Sequence, residues 1–149
     1  MCQECDYVEL LSKGGLESTP NRLTILKIVG GSARPLTARE VLKALRRLRD
    51  INRVTVYRIL ELLVEKRLLD RISAGDRSFR YGLAPNDLHQ PHPHFYCTRC
   101  GQMECLNPQI LGFDVEPLRR DFPGSIEKIQ IRLDGLCRDC LEERGVLPS

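Results

Sequence analysis

Apolar residues in the first half of the chain recur at intervals of three and four, and glycines and helix-capping residues separate the runs. Tyr7, Val8, Leu10 and Leu11 predict a short amphipathic helix that Gly14-Gly15 ends. Ser18-Thr19-Pro20 then supplies a cap and a proline for the first helical position, and Leu23, Ile25, Leu26, Ile28 and Val29 run on to Gly30-Gly31. In Thr37-Ala38-Arg39-Glu40 the hydroxyl and the carboxylate can each satisfy a free backbone donor, so a third helix starts there, with Val41, Leu42, Leu45 and Leu48 as its stripe. Asn52 caps a fourth helix over residues 53–66, whose apolar face runs through Val56, Leu60, Leu63 and Val64 and whose polar face leads with Arg53 and Arg58.

The period then shortens to two. Residues 68–73 and 78–82 alternate around Ala74-Gly75-Asp76, which predicts a hairpin of the kind called a wing. Helices followed by such a hairpin give the order of a winged helix-turn-helix domain over residues 1–83. Residues 84–93 hold Pro85, Pro91 and Pro93 with little periodicity and predict a linker. Beyond it, residues 94–149 read as a small α+β unit. Strands at 94–97 and 102–106 flank a Cys-x-x-Cys-Gly knuckle, residues 115–122 form a short helix, and residues 125–133 form a strand with Ile126, Ile129 and Ile131 as apolar members. The expected fold class is α+β, in two domains joined by a hinge.

Composition narrows the function classes. At 149 residues, 42% apolar and 29% charged, the chain suits one ordinary domain or two small ones. No stretch approaches the roughly 18 apolar residues of a membrane span, and acids stand at the start where a signal peptide carries positive charge. A cytoplasmic protein with no membrane partner is expected. The net charge of +3 divides unevenly: residues 1–84 hold 16 Lys/Arg against 10 Asp/Glu, and residues 85–149 hold 7 against 10. A basic first half is the electrostatic footprint of a polyanion binder.

Seven cysteines, an odd number at paired spacings, suit metal ligation better than a disulfide framework. Cys97-x-x-Cys100-Gly101 and Cys137-x-x-Cys140 together offer four thiolates for a tetrahedral zinc, because each spacing lets two sulfurs from one tight turn point at the same centre. The 36 residues between the two knuckles exceed the span of compact ribbons, so the fold must bring them together. Two unrelated buried pairs, or a redox Cys-x-x-Cys, are the competing readings, and the βαβ context of the latter is missing. All three histidines, His89, His92 and His94, fall within six positions. His92 and His94, two apart on a segment entering a strand, share a face, and Cys105 lies on the neighbouring strand. Three nitrogens and a sulfur would favour zinc over iron or manganese. Arg53, Thr55, Tyr57 and Arg58 open the fourth helix, where short polar and cationic groups meet base edges and phosphates in recognition helices. Cys2 and Cys5 carry no assignable role.

With those residues assembled, the chain resembles the ferric uptake regulator (Fur) family of bacterial metal-sensing repressors, most closely its zinc-uptake branch. The segments that carry the likeness are Ser18-Thr19-Pro20-Asn21-Arg22, residues 55–60, residues 92–101 and residues 135–140. The resemblance implies a homodimer, with winged helices on double-stranded palindromic operator DNA and dimerisation through the second domain. It also implies a structural zinc on Cys97, Cys100, Cys137 and Cys140 and a second, regulatory divalent metal at the hinge, again zinc. Tyr57 and Arg58 match the family's DNA-contacting pair, Arg22 joins the DNA-binding residues, and His92 and His94 match two regulatory ligands. Pro35 and Gly82 stand where the family has two further ligands, and Cys105 stands where it often has glutamate. His89, His92, His94 and Cys105 would then rebuild a four-coordinate site. Pro93 and Ile129 occupy the ligand positions of the family's auxiliary metal site, and Glu17 stands where relatives have a basic minor-groove residue. The expected function is metal-dependent repression of metal homeostasis genes, without catalysis. Competing readings are an iron- or peroxide-responsive regulator using Glu104 or Asp87, a cysteine-based redox protein, and a zinc-ribbon interaction module.

Overall fold

A computed structural model describes residues 5–86, 88–112 and 114–145. The chain divides into two compact units, residues 1–91 and 92–149.

The first unit contains α1 (Tyr7–Lys13), α2 (Pro20–Gly30), α3 (Ala38–Arg46), α4 (Arg53–Glu65), β1 (Leu69–Ser73) and β2 (Phe79–Leu83). Each helix starts on a side-chain cap: Asp6, Thr19, Thr37 and Asn52 accept from the backbone N–H of Glu9, Arg22, Glu40 and Val54. Leu11, Ile25, Leu26, Val41, Leu45, Val56, Leu60 and Leu63 are fully shielded and form its core. At roughly 1.5–3 kcal/mol for each fully buried side chain, they are the main force holding this unit together. Leu48 departs from the expected stripe. α3 ends at Arg46, Leu48 turns back to bond Leu45, and its side chain is exposed.

β1 and β2 pair antiparallel from Leu69↔Leu83 to Ser73↔Phe79, and a bridge from Leu36 to Tyr81 ties the wing to the start of α3. At the hairpin turn Arg77 takes a left-handed backbone (φ 67).

The second unit contains β3 (His94–Cys97), β4 (Met103–Cys105), α5 (Glu116–Asp121), β5 (Arg132–Gly135) and α6 (Arg138–Glu143), with a single 3₁₀ turn at Pro108–Leu111. Its sheet has the order β4-β3-β5. β3 runs antiparallel to β4 and parallel to β5. The strand expected over 125–133 is shorter and later, because only Arg132–Gly135 lies alongside β3 to form a ladder. Ile126, Ile129 and Ile131 are half-buried, on a stretch outside any strand. α6 was not expected; it is a six-residue, largely polar helix with no apolar stripe to announce it. Among the described residues of this unit the buried apolar side chains are Pro93, Tyr96, Cys97, Met103, Cys137 and Cys140, a core so small that such domains need a metal or disulfide staple. Among the described residues no helix is long and apolar enough to cross a membrane.

Candidate metal centres and nucleic-acid face

Cys97 ends β3, and the chain reverses at once: Gly101, at φ 75, donates its N–H to the Cys97 carbonyl and Cys97 donates to Gln102. That turn places Cys97 and Cys100 together. The parallel pairing of β3 with β5, ending at Cys97↔Gly135, delivers Cys137 beside them, and the first turn of α6 adds Cys140. All four sulfurs lie within 4.8 Å of one another. Cys100 Sγ and Cys137 Sγ are 3.8 Å apart, the separation of about 3.8 Å that tetrahedral thiolates at about 2.3 Å from zinc require. Cys97, Cys137 and Cys140 are buried and Cys100 is exposed. Arg99 clips α6 to the knuckle by donating to the Cys140 carbonyl at 3.3 Å and pairing with Glu143 at 3.6 Å.

The protonation of the cluster shows why it needs a cation. Burial opposes the Cys97 thiolate, but hydrogen bonds from the backbone N–H groups of Cys100, Cys137 and Arg99 outweigh it and hold the thiol at about 6. Burial, reinforced by the surrounding sulfurs, pushes Cys140 up to about 12. One thiolate is easy and a full set is costly without a positive ion at the centre. The four residues therefore fit a closed, structural metal site.

His92, His94 and Cys105 form a second cluster, with ligand atoms within 4.8 Å of one another and all three side chains half-buried. His94 and Cys105 are cross-strand partners, and the rings of His92 and His94 are 4.7 Å apart. Burial raises the Cys105 thiol. The set offers two nitrogens and one sulfur, which leaves one position of a tetrahedron open. His89 belongs to the first unit, where its backbone bridges to Asn86, and it is not one of the three clustered residues. Glu104 is exposed at the alternate position of β4, so it faces away from Cys105. Asp87 and Cys2 lie outside the described residues. Cys5 is disulfide-bonded, and the Asn86 amide lies 3.9 Å from its sulfur.

On α4, Arg53, Thr55 and Arg58 are exposed and Tyr57 is half-buried, with the Arg53 guanidinium 5.2 Å from the centre of the Tyr57 ring. Arg22 is half-buried and donates to the Glu17 carbonyl at 3.4 Å. Val54 is an exposed residue of this face that the cationic pattern passes over; its signal is an apolar side chain off the buried stripe.

A model of the ferric uptake regulator family matches residues 13–119. The ferric uptake regulation protein of Bacillus subtilis is 33% identical over 91 residues, a match that spans 61% of each chain, under two thirds of that relative's length. The peroxide operon regulator of the same organism is 29% identical over 143 residues, 94% of each chain. Among solved structures, the Helicobacter pylori ferric uptake regulator, described as having three functional metal-binding sites, superposes with a TM-score of 0.72 at 19% identity, covering 94% of this chain and 97% of that chain. The Pseudomonas aeruginosa regulator with manganese gives 0.72 at 22% identity, covering 90% and 99%. These superpositions share the fold.

Proposed function

The chain belongs to the ferric uptake regulator family, and from that membership we propose that it is a zinc-responsive repressor that binds DNA as a homodimer. The observation that carries the zinc reading is the His92, His94 and Cys105 cluster, separate from the four cysteines. A thiolate with imidazoles suits zinc, whereas an iron or manganese site would draw on oxygen donors, and Glu104 faces away from this one.

In this reading Cys97, Cys100, Cys137 and Cys140 hold a permanent zinc that staples the second unit. His92, His94 and Cys105 hold an exchangeable one, and His89 closes the coordination sphere from residues 84–93, which act as the hinge. Residues 1–83 carry the winged helix. Arg53, Thr55, Tyr57, Arg58 and Arg22 meet palindromic operator DNA, and residues 94–149 pair the two copies. Zinc at the second site supplies a fixed centre that ties down the hinge. To move a dimer from about 1% to about 99% binding-competent, the closed form must hold the metal about 10⁴-fold more tightly, so at least one ligand must be available there alone. His89 is that ligand. A regulator of chromosomal genes works in the cytoplasm.

The deciding experiment measures the metal content of protein purified without added metal, together with DNA-binding titrations in zinc, iron(II) and manganese(II). Zinc activation at the lowest free-metal concentration supports the reading. Activation by iron(II) alone, lost on treatment with peroxide, would replace it with the peroxide-responsive one.

A further inference from the structure

Six residues of α4 are exposed; Val54, Arg58, Glu61 and Glu65, spaced by four, three and four residues, fall on one stripe, and Arg53 and Thr55 flank it in the first turn. The stripe changes character along its length. Its N-terminal end is apolar and cationic, and its C-terminal end is acidic. A polyanion is therefore attracted only over the first two turns, where the helix dipole adds to the attraction, and is repelled by Glu61 and Glu65 further on. That gradient sets which end of the helix can reach base edges.

At the attractive end stands Val54, 53% exposed in the first turn of a 13-residue helix. A β-branched apolar residue there lowers helix propensity and is left about half uncovered in the free chain. Arg53 is held over the Tyr57 ring and Thr55 lies to the other side, so Val54 and Arg58, one turn apart, head the stripe. Of the groups that the four bases present in the major groove, the thymine 5-methyl is the apolar one.

We propose that Val54 is a specificity-determining residue that reads the 5-methyl group of one thymine in each operator half-site, beside the position contacted by Arg58. The proposal rests on α4 being the recognition helix.

The test uses the full-length, zinc-loaded protein and a duplex selected by it from a random-sequence pool, with thymines replaced one at a time by uracil, which removes only the methyl. At one thymine per half-site, uracil should weaken binding about fourfold, and in both half-sites together about 15-fold, the worth of one buried methyl at each. Val54→Ala should bind the thymine duplex more weakly by a similar factor and be indifferent to uracil at that position. Its melting temperature should be unchanged or higher, because alanine is the better residue at an exposed helical position. Selected half-sites without a required thymine, or a Val54→Ala protein that keeps the full uracil penalty everywhere, would overturn the proposal. Absence of any salt-sensitive duplex binding by the unaltered protein would instead remove the reading of α4 itself, and the proposal with it.

Discussion

His94 and Cys105 stand directly opposite each other across the antiparallel β3–β4 pair. Side chains alternate along a strand, so both project from the same face, while Cys97, three residues after His94, projects from the other. One four-residue strand thus carries a ligand of each candidate metal centre, and ordering it from one face supports the other.

The second centre is expected to lose sulfur-to-metal charge transfer when Cys105 is replaced. After cobalt substitution, Cys105→Ser should retain the absorption of the four-thiolate site and lose the added component. His89→Ala should leave the structural metal and the dimer intact and raise the zinc concentration needed for DNA binding. If neither variant changes second-site spectra or zinc-dependent binding, the ligand set is wrong.

Structural zinc contributes roughly 10–16 kcal/mol of apparent binding free energy in small sites, comparable to or larger than the stability of a whole domain. With Cys137 buried among the other sulfurs, Cys137→Ser is expected to unfold the second unit and release one zinc per chain. Circular dichroism with metal analysis checks this. A folded, zinc-replete Cys137→Ser protein would refute the four-cysteine assignment.

Zinc uptake at the four cysteines should be steeply pH-dependent. In the metal-free protein Cys140 is pushed up to about 12 and Cys100 is also raised, so both carry protons at neutral pH. Each must be lost before the sulfur can ligate. Affinity therefore rises with pH, by at least about a hundredfold per unit near pH 7. Competition against a chromophoric chelator at several pH values measures the slope, and a value below tenfold would mean that fewer thiols ligate.

DNA binding should fall steeply with salt. If each copy neutralises about three phosphates, log affinity falls with log salt at a slope near −5. Arg58→Ala should lower the affinity for every duplex and flatten the slope if Arg58 holds phosphate, or relax one base position if it reads guanine. Unchanged binding by both Arg58→Ala and Tyr57→Phe would move the interface off α4.

Gly30 closes α2 against α1, and a Cβ there would meet the Tyr7 ring at 2.6 Å. Alanine is normally the better helix former by about 1 kcal/mol, yet Gly30→Ala is expected to destabilise the first unit by about 1–3 kcal/mol through overpacking. Urea denaturation measures the change. Tyr7→Ala added to Gly30→Ala should make the pair less destabilising than the sum of the two single changes.

Features settled within a few residues of one another were legible in the sequence. Thr19, Thr37 and Asn52 cap their helices as the sequence predicts, because a cap needs only its own side chain and the next turn. The Cys97–Gly101 knuckle is equally local, as is the hairpin with its glycine and aspartate. Features that depend on a partner far along the chain emerge only on folding. The parallel pairing of β3 with β5 joins two knuckles 36 residues apart, sets where the last strand begins, and leaves 125–131 outside the sheet. The β3–β4 register opposes Cys105 to His94 and turns Glu104 away. A strand exists only where a ladder forms, and closing that ladder costs chain entropy that long-range contacts must offset, so local composition cannot place its ends. The same reason explains Leu48, apolar and at the right spacing, which is left exposed because the helix that would have buried it stops two residues earlier.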